Sequence, residues 1–488
     1  SVILKPMKGK LLANFFIGIG TVLIAVVFGM LIAKTGYLSA LLIPVIFAVI
    51  ILAFLVFRKP ELGWFLIVFF LPFERVPSIE LAGINLKINT FLGFLTLLAW
   101  ILAILANYKK YKISPNALSI PLSLFIIALL LSLTQAQNLS RAVVVLTFIL
   151  FTIALAILAV NFVNNRENLQ KTIFVLFLSS LIVGLFGLFQ FGGDVIGLPQ
   201  TLTLLKEGYT SKVFGFPRIQ AFSMEPLYLA NYLLIPLSIG LALFVNRQNE
   251  PIKRSWLVIL LVLLMVNFIL TVSRGGYLGL VGTCLVLFFF FLRRLLTWKN
   301  ILIAAVAAAV IIYGVAFALA RSQYRATNEF LGHIQFKDIT EGESIEGRLV
   351  TFRNALRAYS QSPLLGIGIG NYGPWAKNYP PVAPKTGWDI VNNQYIELLA
   401  ETGLVGLVAF IIMLIVLIVR SLVALRYTTD IFLKSVLIGL LAALIGILIQ
   451  YNFMSTLYII HIWVLIGMLI AVQNIILNCK SEAQNPKS

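Results

Sequence analysis

The chain has 488 residues, of which 60% are hydrophobic and only 11% are charged. About a quarter of the residues in a typical soluble domain are charged, so the composition excludes an ordinary soluble protein. The net charge of +19 does not by itself indicate nucleic-acid binding, because basic residues anchor the loops of membrane proteins and set their orientation. The two cysteines, Cys284 and Cys479, predict no disulfide framework.

Runs of about 20 apolar residues recur between short polar breaks, a pattern typical of a polytopic helical membrane protein. The runs do not alternate as the strands of a membrane β-barrel would. The sequence therefore predicts an all-α fold, a bundle of about fourteen transmembrane helices. The predicted spans are Leu11–Ala33, Ser39–Phe57, Leu62–Phe73, Ile88–Ala106, Ala117–Leu133, Ala142–Val163, Thr172–Phe191, Ser223–Val245, Ser255–Val272, Gly275–Leu292, Ile301–Ala320, Tyr395–Val419, Ser435–Tyr451 and Ser455–Leu477.

Lysine and arginine in the short loops favour an orientation with both termini in the cytoplasm. The first apolar run is interpreted as a retained span, because it is longer than the core of a signal peptide. The orientation places residues 192–222, 273–276 and 321–394 outside the cytoplasm. Three regions are predicted: residues 1–217 hold the first helices and an external loop, residues 218–410 form a core with the catalytic loop 321–394, and residues 411–488 form the last helices and a cytoplasmic tail.

The stretch 364–370 is rich in glycine but does not indicate a nucleotide site, because it lacks the flanking strand, helix and acidic residue of that motif. No internal repeat is evident. No set of residues has metal-ligand spacing, and no serine lies in a nucleophile-elbow motif. Neither a metal nor another cofactor is therefore expected. Each of the two histidines, His333 and His461, is interpreted as structural.

Arg274 lies between two apolar runs in the sequence TVSRGGYLGL. One interpretation is an interfacial anchor, although anchoring arginines are depleted on the external side. The alternative is anion binding, since two glycines allow close approach and the next helix would begin there with its positive end.

Arg218 and Glu225 flank the entrance of another span, in the sequence RIQAFSMEPLY. Pro226 suits the first turn of a helix. Glu225 either complements the helix dipole or takes part in catalysis or acceptor binding.

Arg348 opens an amphipathic segment, 348–359. At 100° per residue, Leu349, Phe352, Leu356 and Tyr359 share one apolar face, a pattern that predicts a helix lying on a membrane or on a core. Arg348 falls at the edge of that face. Arg353 and Arg357 point further away and are interpreted as solvated.

A polar group precedes and enters the span that begins near residue 395. Asn393 suits a helix N-cap, and Tyr395 follows it as an acceptor-binding or structural residue. Glu397 and Glu401 are neighbours on one helix face. Carboxylates in a membrane segment are costly, so the choice lies between function and a structural ion pair with an arginine.

Several external arginines at a membrane surface suit a lipid diphosphate, whose adjacent charges guanidinium groups bind bidentately. Neutralising a departing diphosphate promotes transfer. The diphosphate-binding residues predicted on this basis are Arg218, Arg274 and Arg348.

The stretches around these residues resemble the O-antigen ligase and O-antigen polymerase family. They are RIQAFSMEPLYLANYLLIPL, TVSRGGYLGL, GRLVTFRNALRAYSQSPLLGIGIGNY and NNQYIELLAETGLVGLVAF, which span Arg218 to Phe410 in the family's order. The resemblance implies a metal-independent glycosyltransferase of the GT-C type in the bacterial inner membrane. Such enzymes transfer glycan from undecaprenyl diphosphate to a sugar hydroxyl at the periplasmic face. The partners implied are the lipid-linked glycan, membrane lipids and other polysaccharide assembly proteins such as a flippase or a chain-length regulator, but no nucleic acid.

One position departs from the family pattern. The ligases carry a His-Asn pair before the tyrosine-leucine-glutamate run, whereas this chain has Asn392 and Asn393. An amide is not a general base, so Glu225 or Glu397 is expected to serve, or else Asn392 leaves acceptor activation weak. The Glu225-Pro226 pair also resembles the polymerases. We therefore expect a polysaccharide polymerase, with a ligase that modifies lipid A core or protein as the alternative and a transporter or flippase as an alternative of another class.

Overall fold

The computed structural model describes residues 37–76, 78–81, 84–106, 118–211, 216–248, 250–295, 343–378 and 389–484. Most of these residues are helical, and the helices account for the predicted all-α polytopic fold. In chain order the helices are α1 Tyr37–Arg58, α2 Pro60–Phe69, α3 Ile88–Ala106, α4 Ser119–Ser132, α5 Leu139–Phe162, α6 Arg166–Val195, α7 Gln200–Thr203, α8 Pro226–Val245, α9 Arg254–Leu270, α10 Arg274–Leu295, α11 Glu343–Gln361, α12 Tyr372–Ala376, α13 Gln394–Tyr427, α14 Ile431–Gln450 and α15 Ile460–Gln484. Short 3₁₀ turns occur at Leu133–Gln135 and Glu207–Tyr209.

Eight of the described helices are long and apolar enough to cross a membrane, and four more apolar helices are shorter. The eight are α3, α5, α6, α8, α10, α13, α14 and α15. Every predicted span overlaps a described helix except Leu11–Ala33 and Ile301–Ala320, which lie outside the described residues. The multi-pass membrane architecture is confirmed, whereas the number of fourteen spans stays a prediction.

A small β-hairpin was not expected from the sequence. Strands β1 Ser78–Leu81 and β2 Ile84–Lys87 pair antiparallel, with Ser78 opposite Lys87 and Leu81 opposite Ile84. The hairpin runs directly into α3, so it lies at the N-terminal end of that span.

Helices α8, α14 and α15 form the centre of the bundle. The apolar stretch of α15 is 94% buried inside the protein, compared with 33% for that of α3. Small residues allow the close packing: a Cβ at Gly439 of α14 would meet the backbone of Ile239 in α8. Small residues at helix contacts are typical of membrane bundles, where close approach of backbones provides the attraction.

A second, smaller core lies where α11 and α12 pack on the first turns of α13. Ala355, Ala358, Ile367, Tyr372 and Trp375 are buried there. This small layer covers the N-terminal end of α13, and it holds α11 in place beside the bundle.

The apolar face predicted for α11 does not pack on the protein core, so its contact with a membrane stays a prediction. Leu349 and Leu356 are 46% and 50% exposed. The helix instead buries Thr351, Asn354, Ala355 and Ala358, because small side chains let it approach α12 and α13 closely. Phe352 and Tyr359, also assigned to that face, are half-buried at its flank.

Candidate functional site

Helix α10 begins at Arg274 with almost no loop after α9. Val272 takes a left-handed backbone conformation, and Ser273 Oγ accepts a hydrogen bond from the Gly276 N–H at 3.3 Å. A Cβ at Gly275 would meet the Phe453 side chain at 2.9 Å, so glycine is needed for the packing. Arg274 is half-buried and is the first residue of α10. The N–H groups of the first turn of a helix point toward its N-terminal end, where Arg274 lies.

Arg218 approaches this helix start from an extended segment. Its Nε donates to the Thr271 carbonyl oxygen at 3.4 Å, and its guanidinium lies 5.6 Å from the Tyr209 ring centroid. Burial lowers the pKa of Arg218, and the positive charge of Arg274 acts in the same direction.

Arg348 lies on α11, on the flank of the buried face. Burial lowers its pKa, and here too the nearby charge of Arg274 contributes. Arg348 is half-buried while Arg353 and Arg357 are exposed, which is the order expected from the sequence. Arg274 thus interacts electrostatically with both Arg218 and Arg348, and we call these three residues the arginine cluster.

Glu225 lies beside this cluster. It occupies the N-cap position of α8, but its side chain makes no capping hydrogen bond, and Pro226 is in the first turn as predicted. Its exposed carboxylate interacts electrostatically with Arg218 and with Tyr209, and it raises the pKa of Lys206, which burial lowers. The carboxylate is therefore left to face the cluster and solvent.

The turn before α13, residues 389–393, is hydrogen-bonded to α11. Asn393 is the N-cap that the sequence predicted, since its Oδ1 accepts from the N–H groups of Tyr395 at 3.1 Å and Ile396 at 3.0 Å. Asn392 has a left-handed backbone, with φ of 58°. Thr351 Oγ1 of α11 donates to the Val391 carbonyl oxygen at 3.2 Å, so the turn that carries Asn392 is tied to the helix that carries Arg348.

Glu397 and Glu401 are held by backbone N–H groups. Glu397 Oε2 accepts from Val391 at 2.7 Å. The two oxygens of Glu401 accept from Gly370 at 2.8 Å and Tyr372 at 2.9 Å. These bonds give both residues a structural task, and that of Glu401 is to hold the glycine-rich stretch against α13.

That glycine-rich stretch fills a break in α13 at Gly403, where φ is 64°. The Ile367 and Gly368 N–H groups donate to the carbonyls of Ala400 and Glu401, at 3.0 and 2.9 Å. In the other direction, the Leu404 N–H donates to the Pro363 carbonyl at 2.9 Å. The glycine-rich stretch therefore supplies hydrogen-bond partners for the backbone groups of α13 that have no partner within the helix at its break.

Tyr395 and Gln394 fix the start of α13 to the end of α14 and the segment after it. Tyr395 donates from its hydroxyl to the Leu448 carbonyl at 2.7 Å. Gln394 Oε1 accepts from the N–H groups of Thr456 and Leu457, at 2.7 and 2.8 Å. In the described residues Tyr395 is thus a structural contact, and Gln394 is a residue that the sequence analysis missed.

A cavity of about 760 Å³ lies between α3, α5 and the start of α13. Its walls are mostly apolar, and its charged lining residues are Arg141, Asp389, Glu397 and Glu401. Arg141 is the first-turn arginine of α5 and interacts electrostatically with all three carboxylates. We call these four residues the charged rim.

Sequence reasoning missed Arg141 and Asp389. A usable signal existed for Arg141, because it is an arginine on the predicted external side, the same signal that singled out Arg274. The approach of Arg141 to Glu397 joins residues 256 positions apart, and only the fold reveals it.

A buried polar network runs behind the cavity. His461 Nε2 lies 2.7 Å from Asn231 Oδ1, and His461 Nδ1 lies 3.2 Å from Glu74 Oε1. Asn231 donates to Gln450 Oε1 at 2.6 Å. His461 is therefore held inside the bundle through Nε2, whereas its Nδ1 makes no hydrogen bond among the described residues.

Residues 259–411 match a family model described as O-antigen ligase. Over these residues the chain is similar to the O-antigen ligase family. The matched segment contains Arg274, Arg348 and the residues from Asn392 to Glu401, whereas Arg218 and Glu225 precede it. The resemblance stated from the sequence is confirmed. The match supports the general function of a membrane glycan ligase or polymerase. A search of curated proteins finds no match to the chain.

Proposed function

We propose that this protein is a polysaccharide polymerase. It transfers glycan from undecaprenyl diphosphate to a sugar hydroxyl of a lipid-linked repeat unit at the periplasmic face of the inner membrane. The observation that carries this proposal is that Arg274, at the start of α10, interacts electrostatically with both Arg218 and Arg348.

The arginine cluster suits the diphosphate of the donor. Three guanidinium groups offer paired N–H donors to adjacent phosphate oxygens, and the positive end of the α10 dipole adds positive potential. Burial around Arg218 and Arg348 strengthens such interactions, because less water screens them.

In the proposed reaction, the acceptor oxygen attacks the anomeric carbon of the donor sugar. The bond from that carbon to the phosphate oxygen breaks, and the diphosphate leaves with the electron pair. The arginine cluster stabilises the negative charge that develops on the leaving group.

Glu225 is the carboxylate that we propose as general base. It is exposed and interacts with Arg218, so the proton of the acceptor hydroxyl passes to Glu225 beside the departing diphosphate. Glu397 is the alternative base, but its Oε2 accepts a bond from Val391 and it lines the cavity instead.

Asn392 occupies the position of the family histidine. Its amide cannot accept a proton as a base. The residue has a left-handed backbone and lies in the turn that is hydrogen-bonded to α11. We assign it a positioning role toward the acceptor.

Glycan-length analysis of a deletion strain tests the function. A polymerase predicts loss of long chains, while single repeat units still reach the final acceptor. Long lipid-linked chains that accumulate without attachment would instead indicate a ligase. Lipid-linked repeat units that remain on the cytoplasmic side would indicate a flippase or transporter.

A further inference from the structure

The cavity between α3 and α5 is not used by the donor chemistry described above, yet it has the shape of a lipid site. Its lining on α5 runs from Arg141 to Phe151, about 15 Å at 1.5 Å per residue. Below it the helices meet, where Gly93 of α3 faces Phe151 and Leu155. The result is a slot with charged residues at one end and apolar walls along its length.

The slot is open on the side of the bilayer. Phe94 of α3 and Val144 of α5 both line it and are 64% and 58% exposed, and both helices are candidate membrane spans. An apolar chain can therefore enter sideways between α3 and α5, without crossing the water.

The charged rim differs from the arginine cluster in what it offers a head group. It has one guanidinium, on Arg141, and three carboxylates. Two of the carboxylates accept backbone N–H groups. Among the described residues, the buried Oδ2 of Asp389 has no hydrogen-bond partner. A buried acceptor without a partner is costly, and a sugar hydroxyl can donate to it.

The proposed polymerase reaction uses two lipid-linked molecules. The donor loses its diphosphate, whereas the acceptor keeps its own. Only the donor therefore needs several arginines. The acceptor substrate needs an apolar site for its lipid chain, one cation for its phosphate, and side-chain oxygens that accept hydrogen bonds from its sugar hydroxyls.

We propose that the cavity is the acceptor site of the enzyme. The prenyl chain of a lipid-linked glycan lies between α3 and α5, a phosphate contacts Arg141, and a hydroxyl of the first sugar donates to Asp389. The distal sugars extend over the turn 389–393 toward the arginine cluster. This assignment rests on the proposed function, since it requires a second lipid-linked substrate.

The test measures how many lipid molecules the full-length protein binds, by native mass spectrometry from detergent micelles. Two probes are used: undecaprenyl diphosphate without sugar, and the same lipid carrying one N-acetylglucosamine. We expect two equivalents of the second probe. The first probe should bind tightly at the arginine cluster but more weakly in the slot, because it keeps the chain and phosphate contacts there and lacks the hydroxyl that donates to Asp389.

Matched variants assign each equivalent to a site. Val144→Trp fills the slot and should remove only the second equivalent of the sugar-bearing probe. Leu105→Trp is the control, because Leu105 is 73% exposed on α3 but does not line the cavity. Asp389→Ala should weaken the same equivalent and leave the first unchanged. Size-exclusion profiles show whether each variant is folded.

Three results would overturn the acceptor site: two sugar-bearing equivalents in Val144→Trp, a second equivalent that binds equally tightly with and without sugar, or displacement of the second equivalent by phosphatidylethanolamine. The last result would identify the slot as a site for ordinary membrane lipid. If the tight sugarless equivalent persists in an Arg274→Ala, Arg348→Ala double variant, the proposed donor site fails instead, whatever the slot binds.

Discussion

The arginine cluster and the charged rim offer opposite chemistry. Helix α11, which carries Arg348, is bonded to the turn 389–393, and the rim includes Asp389 of that turn. The cluster brings three guanidinium groups together with one exposed carboxylate, whereas the rim surrounds one guanidinium with three carboxylates. Charge of one sign suits a group whose negative charge increases during reaction. Mixed charge suits a group that is bound and released unchanged. This difference in charge therefore distinguishes the proposed site where the donor bond breaks from the proposed site that binds the acceptor substrate.

The first prediction tests whether the cluster and α11 face the external side, as the comparison requires. In a background with Cys284 and Cys479 replaced by serine, we expect an impermeant thiol reagent to label Lys377→Cys fully and Lys253→Cys not at all, because only this orientation keeps the short basic loops inside. Both positions are exposed, so access within the protein is matched. The opposite labelling would remove both sites from the periplasm.

The second prediction breaks the arginine cluster. Arg348→Ala should lower polymer formation by about 100-fold to 1,000-fold, the loss typical when one group that stabilises developing negative charge is removed. Arg348→Lys should recover little, since an ammonium cannot make the bidentate contact. The measurement is polymer yield from lipid-linked repeat units by purified protein.

Arg353→Ala and Arg357→Ala are the matched controls on the same helix. Both side chains are exposed, so each change should alter activity by no more than about twofold. Equal losses at all three positions would show that α11 contributes general positive charge and would remove Arg348 from the site.

The third prediction distinguishes the two carboxylates by their neighbours. Glu225→Gln should lower the rate by about 100-fold or more, the typical effect of losing a general base. Glu397→Gln keeps an oxygen that can accept from Val391 and should cost roughly tenfold or less. Protein levels are compared by immunoblot. The reverse order would transfer the role of base to Glu397, and thus to the cavity.

Local sequence signals found the parts of the site that depend on neighbours along the chain. Pro226 and Asn393 begin helices where their chemistry predicted, and Arg274 opens α10 because the polar break there is too short for a loop. Each of these features follows from residues within a few positions.

The rest of the site depends on contacts between distant segments. Nothing near Gly403 shows that residues 363–370 fill a helix break, and nothing near Arg141 shows that it faces Glu397. The face of α11 that packs on the protein also depends on distant segments. Hydrophobicity marked Leu349 and Leu356, but close packing selected Ala355 and Ala358, which carry no strong hydrophobic signal.

The last and smallest effect concerns Asn392, which lies between the two regions. If its amide only positions the acceptor, its removal costs one neutral hydrogen bond, about 0.5 to 1.5 kcal/mol or roughly tenfold in rate. Because φ at this residue is 58°, alanine would add backbone strain. Asn392→Gly removes the amide without that strain, so it measures the hydrogen bond alone, and Asn392→Ala should be somewhat worse in thermal stability. Asn392→His should fold, since histidine tolerates the left-handed conformation better than most residues. A loss of about 100-fold or more in Asn392→Gly, with both Glu225→Gln and Glu397→Gln tolerated, would show that the amide is essential to acceptor activation and that neither carboxylate is the base.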